Sequence, residues 1–369
     1  MKIYENILIS SLTTMRIGGP ARYVIEITDP SEIAEAYQFA EAYWYPRFII
    51  GGGANTIGRD EGLNGVILLN RLRGFRDEDG LITAAAGENW DAIVEYACGK
   101  GYTGIEALSR IPGLIGAAPV QNIGAYGQEL SQTFVSAEAY DTVARDFVTL
   151  TPNEMKFGYR RSALNTTAAG RYFVTSVTLQ LHPGQMERPF YNSVENYIAD
   201  NGITDFSPMG VRRMVSAIRA DKLPDPAVKA SSGSFFKNVY LSDWDAQKAE
   251  EHRYPVHRGR DGNKINAGWL IEQAGLSGKL LHGMRVNEKA ALNLINESAG
   301  TYANLAAARA EIKSAVYDKF GYWLEQEPVE IVDSKDKMAP GVKSYEGLGL
   351  AAPTNGMSSG TSMNLGRRR

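Results

Sequence analysis

The chain has 369 residues, 44% of them hydrophobic and 22% charged. That is a globular composition, long enough for two or three domains of about 100–200 residues each. The formal net charge of -3 excludes the basic surface of a general nucleic-acid binder, and the single cysteine, Cys98, excludes an internal disulfide and a cysteine metal cluster.

Residues 1–70 read as a small α/β unit. ARYVIEIT at 21–28 alternates apolar and polar positions and is rich in β-branched residues, which predicts a strand. DPSEIAEAYQFAEAYW has Pro30 near its start, early glutamates and apolar residues at helical spacing, which predicts a helix. RFII runs as a short strand into GGGAN at 51–55, and GVILLN at 65–70 is a further strand. The N-terminal segment MKIYENILISSLTTMRIGG has no apolar run suited to a secretion signal. No segment approaches the ~20 apolar residues of a membrane helix. The expectation is a cytoplasmic protein with neither nucleic acid nor membrane as a partner.

Residues 71–220 read as a second unit. ITAAAGENWDAIVEYACGKGYTG predicts strand, turn and helix, with Cys98 on the apolar face; FVSAEAYD, DFVTLT and YFVTSVTLQL predict strands. The polar stretch 183–210 reads as a link to a helix at about 210–220. Residues 221–320 form a third unit, with helices in AGWLIEQAG and ANLAAARAEIKSAVYDKFG and a strand in AALNLIN. WLEQEPVEIVD predicts a strand over 321–334 that returns to an earlier unit. From 335 to 369 Gly, Ser and Thr dominate, which predicts a disordered tail.

Several motifs carry chemistry. In GGGAN the glycines Gly51, Gly52 and Gly53 allow close approach to a ligand and expose N–H groups to phosphate oxygens; a plain tight turn is the competing reading. GKGYTG at 99–104 follows a helix-like segment, so it lacks the context of a dinucleotide fingerprint. IPGLIGAAPVQNIGAYG has few obstructing side chains and suits either a planar ligand or a buried loop. The four histidines show no metal-ligand spacing, and no metal site is expected. Arg160 or Arg161 suits bidentate carboxylate or phosphate recognition, against ordinary surface charge. Ser234, between Gly233 and Phe235, is either a proton donor or a turn residue, and Glu327 before Pro328 either a tuned acid or an exposed strand-end carboxylate.

Taken together, IPGLIGAAPVQNIGAYGQEL, KFGYRRS, KLPDP, GSFFKN and AGWLIEQAGLSG resemble the UDP-N-acetylenolpyruvoylglucosamine reductases, MurB-type flavoenzymes of peptidoglycan synthesis. The resemblance covers about residues 11–332. It implies an α+β fold: a two-part FAD-binding unit of the p-cresol methylhydroxylase/vanillyl alcohol oxidase type, split as 1–70 and 71–220, plus an α+β substrate-binding domain. It implies FAD as cofactor and NADPH as co-substrate. Gly51, Gly52, Gly53, Ala54 and Asn55 would hold the diphosphate, and Pro112, Gly113, Gly116 and Ala117 would flank the flavin. Arg160 matches the family's carboxylate-gripping arginine, Ser234 its general acid and Glu327 the acid opposite. Tyr191, Lys222 and Asn238 match substrate contacts, and Lys237 reads as an electrostatic neighbour of Ser234.

The implied reaction converts the enolpyruvyl ether of UDP-N-acetylglucosamine into UDP-N-acetylmuramate, with hydride to C3 and a proton to C2. Glu327 is expected to carry a raised pKa. The relatives' habit is monomer or weak dimer. The chain departs from the family at Arg161, Val239 and Ala290, where aspartate, proline, and histidine or glutamine are usual. Alternatives are another flavin oxidase of the same fold and a non-catalytic flavin-binding protein.

Overall fold

The computed structural model describes residues 1–188, 190–259 and 262–332. The expected tail at 335–369 lies outside the described residues.

The N-terminal sheet has four strands in the order Lys2–Leu8, Pro20–Ile27, Leu63–Asn70, Arg47–Ile50. The first pair is antiparallel and the other two are parallel. Helix Glu32–Ala42 forms the crossover between Pro20–Ile27 and Arg47–Ile50 and buries Ile33, Ala36, Tyr37 and Ala40. That spacing lays one apolar stripe on Ile25, Ile27, Val66 and Leu68 of the sheet. Strand Leu63–Asn70 is buried at nearly every position, as a central parallel strand covered on both faces must be. The first strand, Lys2–Leu8, is largely exposed and carries little apolar alternation, so its sequence gave no strand signal.

The second sheet is antiparallel, in the order Asp146–Leu150, Phe134–Asp141, Tyr172–Gln180, Leu81–Ala85, Phe75–Glu78. Helix Trp90–Gly99 is capped by the Asn89 side chain, which accepts a hydrogen bond from Ala92 N at 3.0 Å. It buries Trp90, Ile93, Val94, Ala97 and Cys98. Burial pushes the Cys98 thiol up to about 12, which leaves it an inert core residue.

The stretch 183–210 is more than a polar link. Asn192–Asn201 is a helix that ends at Gly202, whose φ of 60° suits glycine. Its two buried residues, Val194 and Ile198, are one turn apart and pack on Val211, Met214, Val215 and Ile218 of helix Pro208–Lys222. Two buried residues in ten are too few to announce a helix; the neighbouring helix supplies the contacts that stabilise it.

The C-terminal third contains a sheet in the order Ser231–Ser234, Asn293–Asn296, Met284–Val286, Leu280–Leu281 and a second in the order Val239–Leu241, Gly262–Ile265, Val256–Gly259. Helix Tyr302–Phe320 buries Leu305, Ala308, Ile312 and Val316 and ends at Gly321, φ 75°. The chain then passes back: Val329–Ile331 pairs in parallel with Thr56–Gly58. The strand expected across WLEQEPVEIVD is confined to those three residues and a single bridge between Phe236 and Gln326. Among the described residues no helix is long and apolar enough to cross a membrane, and no group of three or more His, Cys, Asp or Glu could hold a metal ion.

Candidate active site

Three chain segments are held against one another by backbone contacts before any side chain is considered. The glycines after strand Arg47–Ile50 rest on the segment Pro112–Ala117. A Cβ on Gly52 would lie 3.0 Å from the Gly113 Cα, and one on Gly51 would lie 3.3 Å from the Ala117 Cβ. Gly53 has φ +66°, and a Cβ there would lie 2.0 Å from the Leu12 carbonyl oxygen. Only glycine fits such a place. Gly113 has φ +127° and nothing within 4 Å of its absent Cβ, and its carbonyl accepts from Trp90 N at 3.1 Å. Gly116 is packed tight, with a Cβ position 2.3 Å from the Ala86 Cβ. The loop is thus a backbone cradle with an open side at Gly113.

Asn55 ends the glycine loop and makes two ties. Its Nδ2 donates to Gln121 Oε1 at 2.7 Å, and its carbonyl accepts from Val329 N at 2.9 Å. Gln121 Nε2 donates to Glu327 Oε1 at 3.3 Å. The same carboxylate oxygen lies 2.9 Å from Arg160 Nε. A chain of contacts therefore runs from the glycine loop through Gln121 and Glu327 to Arg160.

Arg160 sits in a tight turn closed by hydrogen bonds between Gly158 and Arg161, with φ 51°. Its Nη2 donates to the Gly124 carbonyl at 3.0 Å. Its Nε, although close to Glu327, makes no hydrogen bond and is buried. Burial pushes the Glu327 carboxyl above its ordinary pKa, against the opposing influence of Arg160, Lys237 and Gln121.

Ser234 ends strand Ser231–Ser234, and the next residue accepts a hydrogen bond from Glu327: the distance from Glu327 N to the Phe235 carbonyl is 2.9 Å. Phe235 and Phe236 are fully buried with their rings 5.1 Å apart. Each contributes about 2–3 kcal/mol by leaving water and anchors the backbone around Ser234. The Ser234 hydroxyl is half-buried and has no hydrogen-bond partner among the described residues. Below it, Ser231 Oγ, Ser232 Oγ and Asn293 Oδ1 are buried without partners, as is Thr13 Oγ1. These orphaned polar atoms, together with the glycine cradle, fit a large polar ligand lying between the glycine loop and the Ser231–Ser234 strand.

Lys237, expected as an electrostatic neighbour of Ser234, is itself paired. Its ammonium pairs with Glu325, and its N–H donates to the Glu325 carbonyl at 2.8 Å. It contributes to the site as a positive charge near Glu327. Asn238 is shared between fold and site. Its Oδ1 accepts from Ala267 N at 3.1 Å at the start of helix Ala267–Gln273, and its N–H points at the Tyr159 hydroxyl at 3.5 Å. Tyr191 caps helix Asn192–Asn201 and meets Tyr126 edge to face at 6.2 Å, which sets it beside the glycine- and alanine-rich loop. Lys222 ends helix Pro208–Lys222 and is exposed; its carbonyl accepts from Asn287, and its ammonium is unpaired among the described residues. Lys222 and Tyr191 are therefore not in the contact chain that joins Asn55, Gln121, Glu327 and Arg160.

Two residues of the site were not singled out from sequence. Gln121 lay unmarked within a motif noted for its small residues. Tyr159 precedes Arg160; burial raises its phenol pKa, its ring lies 5.0 Å from that of Tyr240, and the Lys264 ammonium sits 5.5 Å above it. Nothing in a lone Gln or Tyr distinguishes it from a loop residue until its neighbours are known.

Comparison with known proteins is consistent along the chain. Residues 225–331 match the family model described as UDP-N-acetylenolpyruvoylglucosamine reductase, C-terminal domain, and residues 21–144 match an FAD binding domain. A UDP-N-acetylenolpyruvoylglucosamine reductase of Paraburkholderia phymatum is 36% identical over 319 residues, spanning 84% of this chain and 92% of that protein. One from Chromobacterium violaceum is 39% identical over 294 residues, 77% of this chain and 86% of that protein. In fold, the chain resembles the crystal structure of UDP-N-acetylenolpyruvylglucosamine reductase (MurB) from Thermus caldophilus, with TM-score 0.64 and 23% identity over 90% of this chain and 100% of that one. The fold is α+β, with an FAD-binding domain followed by a further α+β region. The chain belongs to the UDP-N-acetylenolpyruvoylglucosamine reductase family and is an FAD-dependent oxidoreductase of the kind that acts on a carbon–carbon bond.

Proposed function

We propose that this chain reduces the enolpyruvyl ether of UDP-N-acetylglucosamine to UDP-N-acetylmuramate with electrons from NADPH, in the cytoplasm. The observation that carries the reading is the buried Arg160–Glu327 pair, tied through Gln121 to the glycine loop and by backbone to the residue after Ser234.

Backbone N–H groups of Gly51, Gly52, Gly53, Ala54 and Asn55 would hold the FAD diphosphate, and Pro112, Gly113, Gly116 and Ala117 would flank its rings. FAD, when bound, would supply the hydride-transfer chemistry between NADPH and C3 of the enol ether. The Arg160 guanidinium, charged and paired with Glu327, grips the substrate carboxylate, where negative charge grows as C3 takes up hydride. Glu327, whose protonated form burial favours, adds a second donor to that charge without repelling it. Ser234 gives its proton to C2. A serine hydroxyl is a weak acid, and it suffices because the acceptor is an enolate and Lys237, near the site, offsets the charge left on oxygen. Asn238, Lys222 and Tyr191 bind the diphosphate and close over the sugar nucleotide. Residues 1–70 and 71–220 serve as the two parts of the FAD-binding unit, 221–320 as the substrate domain, and 321–334 as the return.

Anaerobic stopped-flow absorbance tests this. NADPH bleaches the yellow protein, and the enol ether restores the colour. Bleaching without recovery discards the substrate; a protein that takes up no FAD discards the scheme.

A further inference from the structure

Glu327 has two carboxylate oxygens, and the structure treats them differently. Oε1 faces two nitrogen donors, Arg160 Nε at 2.9 Å and Gln121 Nε2 at 3.3 Å. Oε2 has no hydrogen-bond partner among the described residues. An oxygen set beside a guanidinium and an amide N–H is the poorer place for a proton, because a hydroxyl there would point its hydrogen at other hydrogens.

The orientation of Gln121 is set by its other end. Asn55 Nδ2 donates to Gln121 Oε1 at 2.7 Å, so the Gln121 oxygen is occupied and its NH₂ is turned towards Glu327. Asn55 is itself fixed by its backbone, which accepts from Val329 N two residues beyond Glu327. The clamp is thus closed: loop, amide, carboxylate and the strand that carries the carboxylate.

We propose that Gln121 is a positioning residue that keeps Oε1 of Glu327 as an acceptor and so confines the acid's proton to Oε2, the oxygen left for substrate. Asn55, at the end of the glycine loop, holds Gln121 in that orientation, so the placement of this proton is coupled to the loop. The inference rests on the reading of Glu327 as a neutral acid in the reaction above. It adds which oxygen bears the proton and what decides it.

The test is an infrared pH titration of the FAD-loaded protein, following the C=O stretch of the protonated Glu327 carboxyl. The band is assigned by its loss in Glu327→Gln. In Gln121→Met, which fills the same space without a donor, the carboxylate form loses a hydrogen bond. Its band should therefore persist to higher pH and change frequency, because the C=O now at Oε1 accepts one bond fewer. Asn55→Ala, which frees Gln121 to rotate, should move the band the same way by less. In stopped flow, Gln121→Met should slow reoxidation by the enol ether about tenfold while reduction by NADPH stays within about threefold. In a Glu327→Gln background it should have no further effect. An unshifted band in Gln121→Met, or an equal further loss of rate in the Glu327→Gln background, overturns the proposal and leaves the reductase reading standing. The absence of any Glu327 acid band in the parent protein removes both.

Discussion

Arg160 Nε and Glu327 Oε1 lie 2.9 Å apart, with the Glu327 side chain 7% exposed. This is a buried pair in which the arginine stays charged and burial lifts the carboxyl towards its neutral form. The sign for activity follows. Glu327 is protonated below its raised pKa and anionic above it, so reoxidation by the enol ether should decline as pH rises through that value. Glu327→Gln keeps a neutral side chain at every pH. It should lose that alkaline decline and slow the step by about 10²-fold, the scale of one acid–base group. Full retention of reoxidation in Glu327→Gln would remove Glu327 from the mechanism.

The same shift makes a prediction for stability. A carboxyl whose folded pKa exceeds its unfolded value binds more protons in the folded state between the two. The parent protein therefore loses stability as pH climbs from the ordinary carboxylate pKa through the raised one. Denaturant titrations at a series of pH values should show that loss in the parent and not in Glu327→Gln. Parallel curves for the two proteins would contradict the raised pKa.

Ser234→Ala tests proton donation apart from electron transfer. Its hydroxyl makes no hydrogen bond among the described residues, so its removal leaves no partner stranded. Bleaching by NADPH should be unchanged, and reoxidation by the enol ether should fall by about 10²–10⁴-fold. Equal slowing of both half-reactions would point to a structural role instead.

Gly53→Ala tests the cradle. The new Cβ would meet the Leu12 carbonyl at 2.0 Å in a backbone conformation with φ +66°. The loop must shift, and the protein should purify with little or no flavin while its far-ultraviolet circular dichroism stays close to the parent's. Normal flavin content measured by absorbance would show that the loop's shape is not what holds the cofactor.

Away from the site, Arg212 is 7% exposed and makes two hydrogen bonds to Asp91, at 2.6 and 3.0 Å, joining helices Pro208–Lys222 and Trp90–Gly99. Burial works against the Asp91 carboxylate, but the hydrogen bonds from Arg212 and from Arg110 N, with the charge of both arginines, together outweigh it and hold its pKa below the ordinary value. Its stabilising effect is therefore full above the ordinary Asp pKa and is lost as pH falls through the depressed one. Asp91→Ala leaves the buried guanidinium only Glu95, 3.7 Å away, and should cost about 2–3 kcal/mol at neutral pH, below the full loss for a buried pair because 24% of the Asp91 side chain meets solvent. The difference should shrink at low pH. A cost independent of pH would show that packing rather than charge is lost.

Local chemistry made much of this chain readable in one dimension. Periods of two and of about 3.6 residues marked strand Pro20–Ile27 and helices Glu32–Ala42 and Tyr302–Phe320, because one buried face imposes its spacing on the residues that form it. Three glycines after RFII marked a loop that admits no side chain, and Arg160, Ser234 and Glu327 stood out through the motifs around them. Other features carried no local signal. Helix Asn192–Asn201 depends on two apolar residues meeting a neighbouring helix. Lys237 pairs with Glu325 because both flank the junction where the Ser231–Ser234 strand meets the returning chain. Gln121 gains its place only because the fold brings Asn55 to one end of its amide and Glu327 to the other. The sequence alone determined which residue types were present and which strongly periodic or glycine-rich segments would be helix, strand or tight turn. The tertiary structure decided which polar atoms leave water together, and burial is what turns an ordinary glutamate, glutamine and arginine into a site.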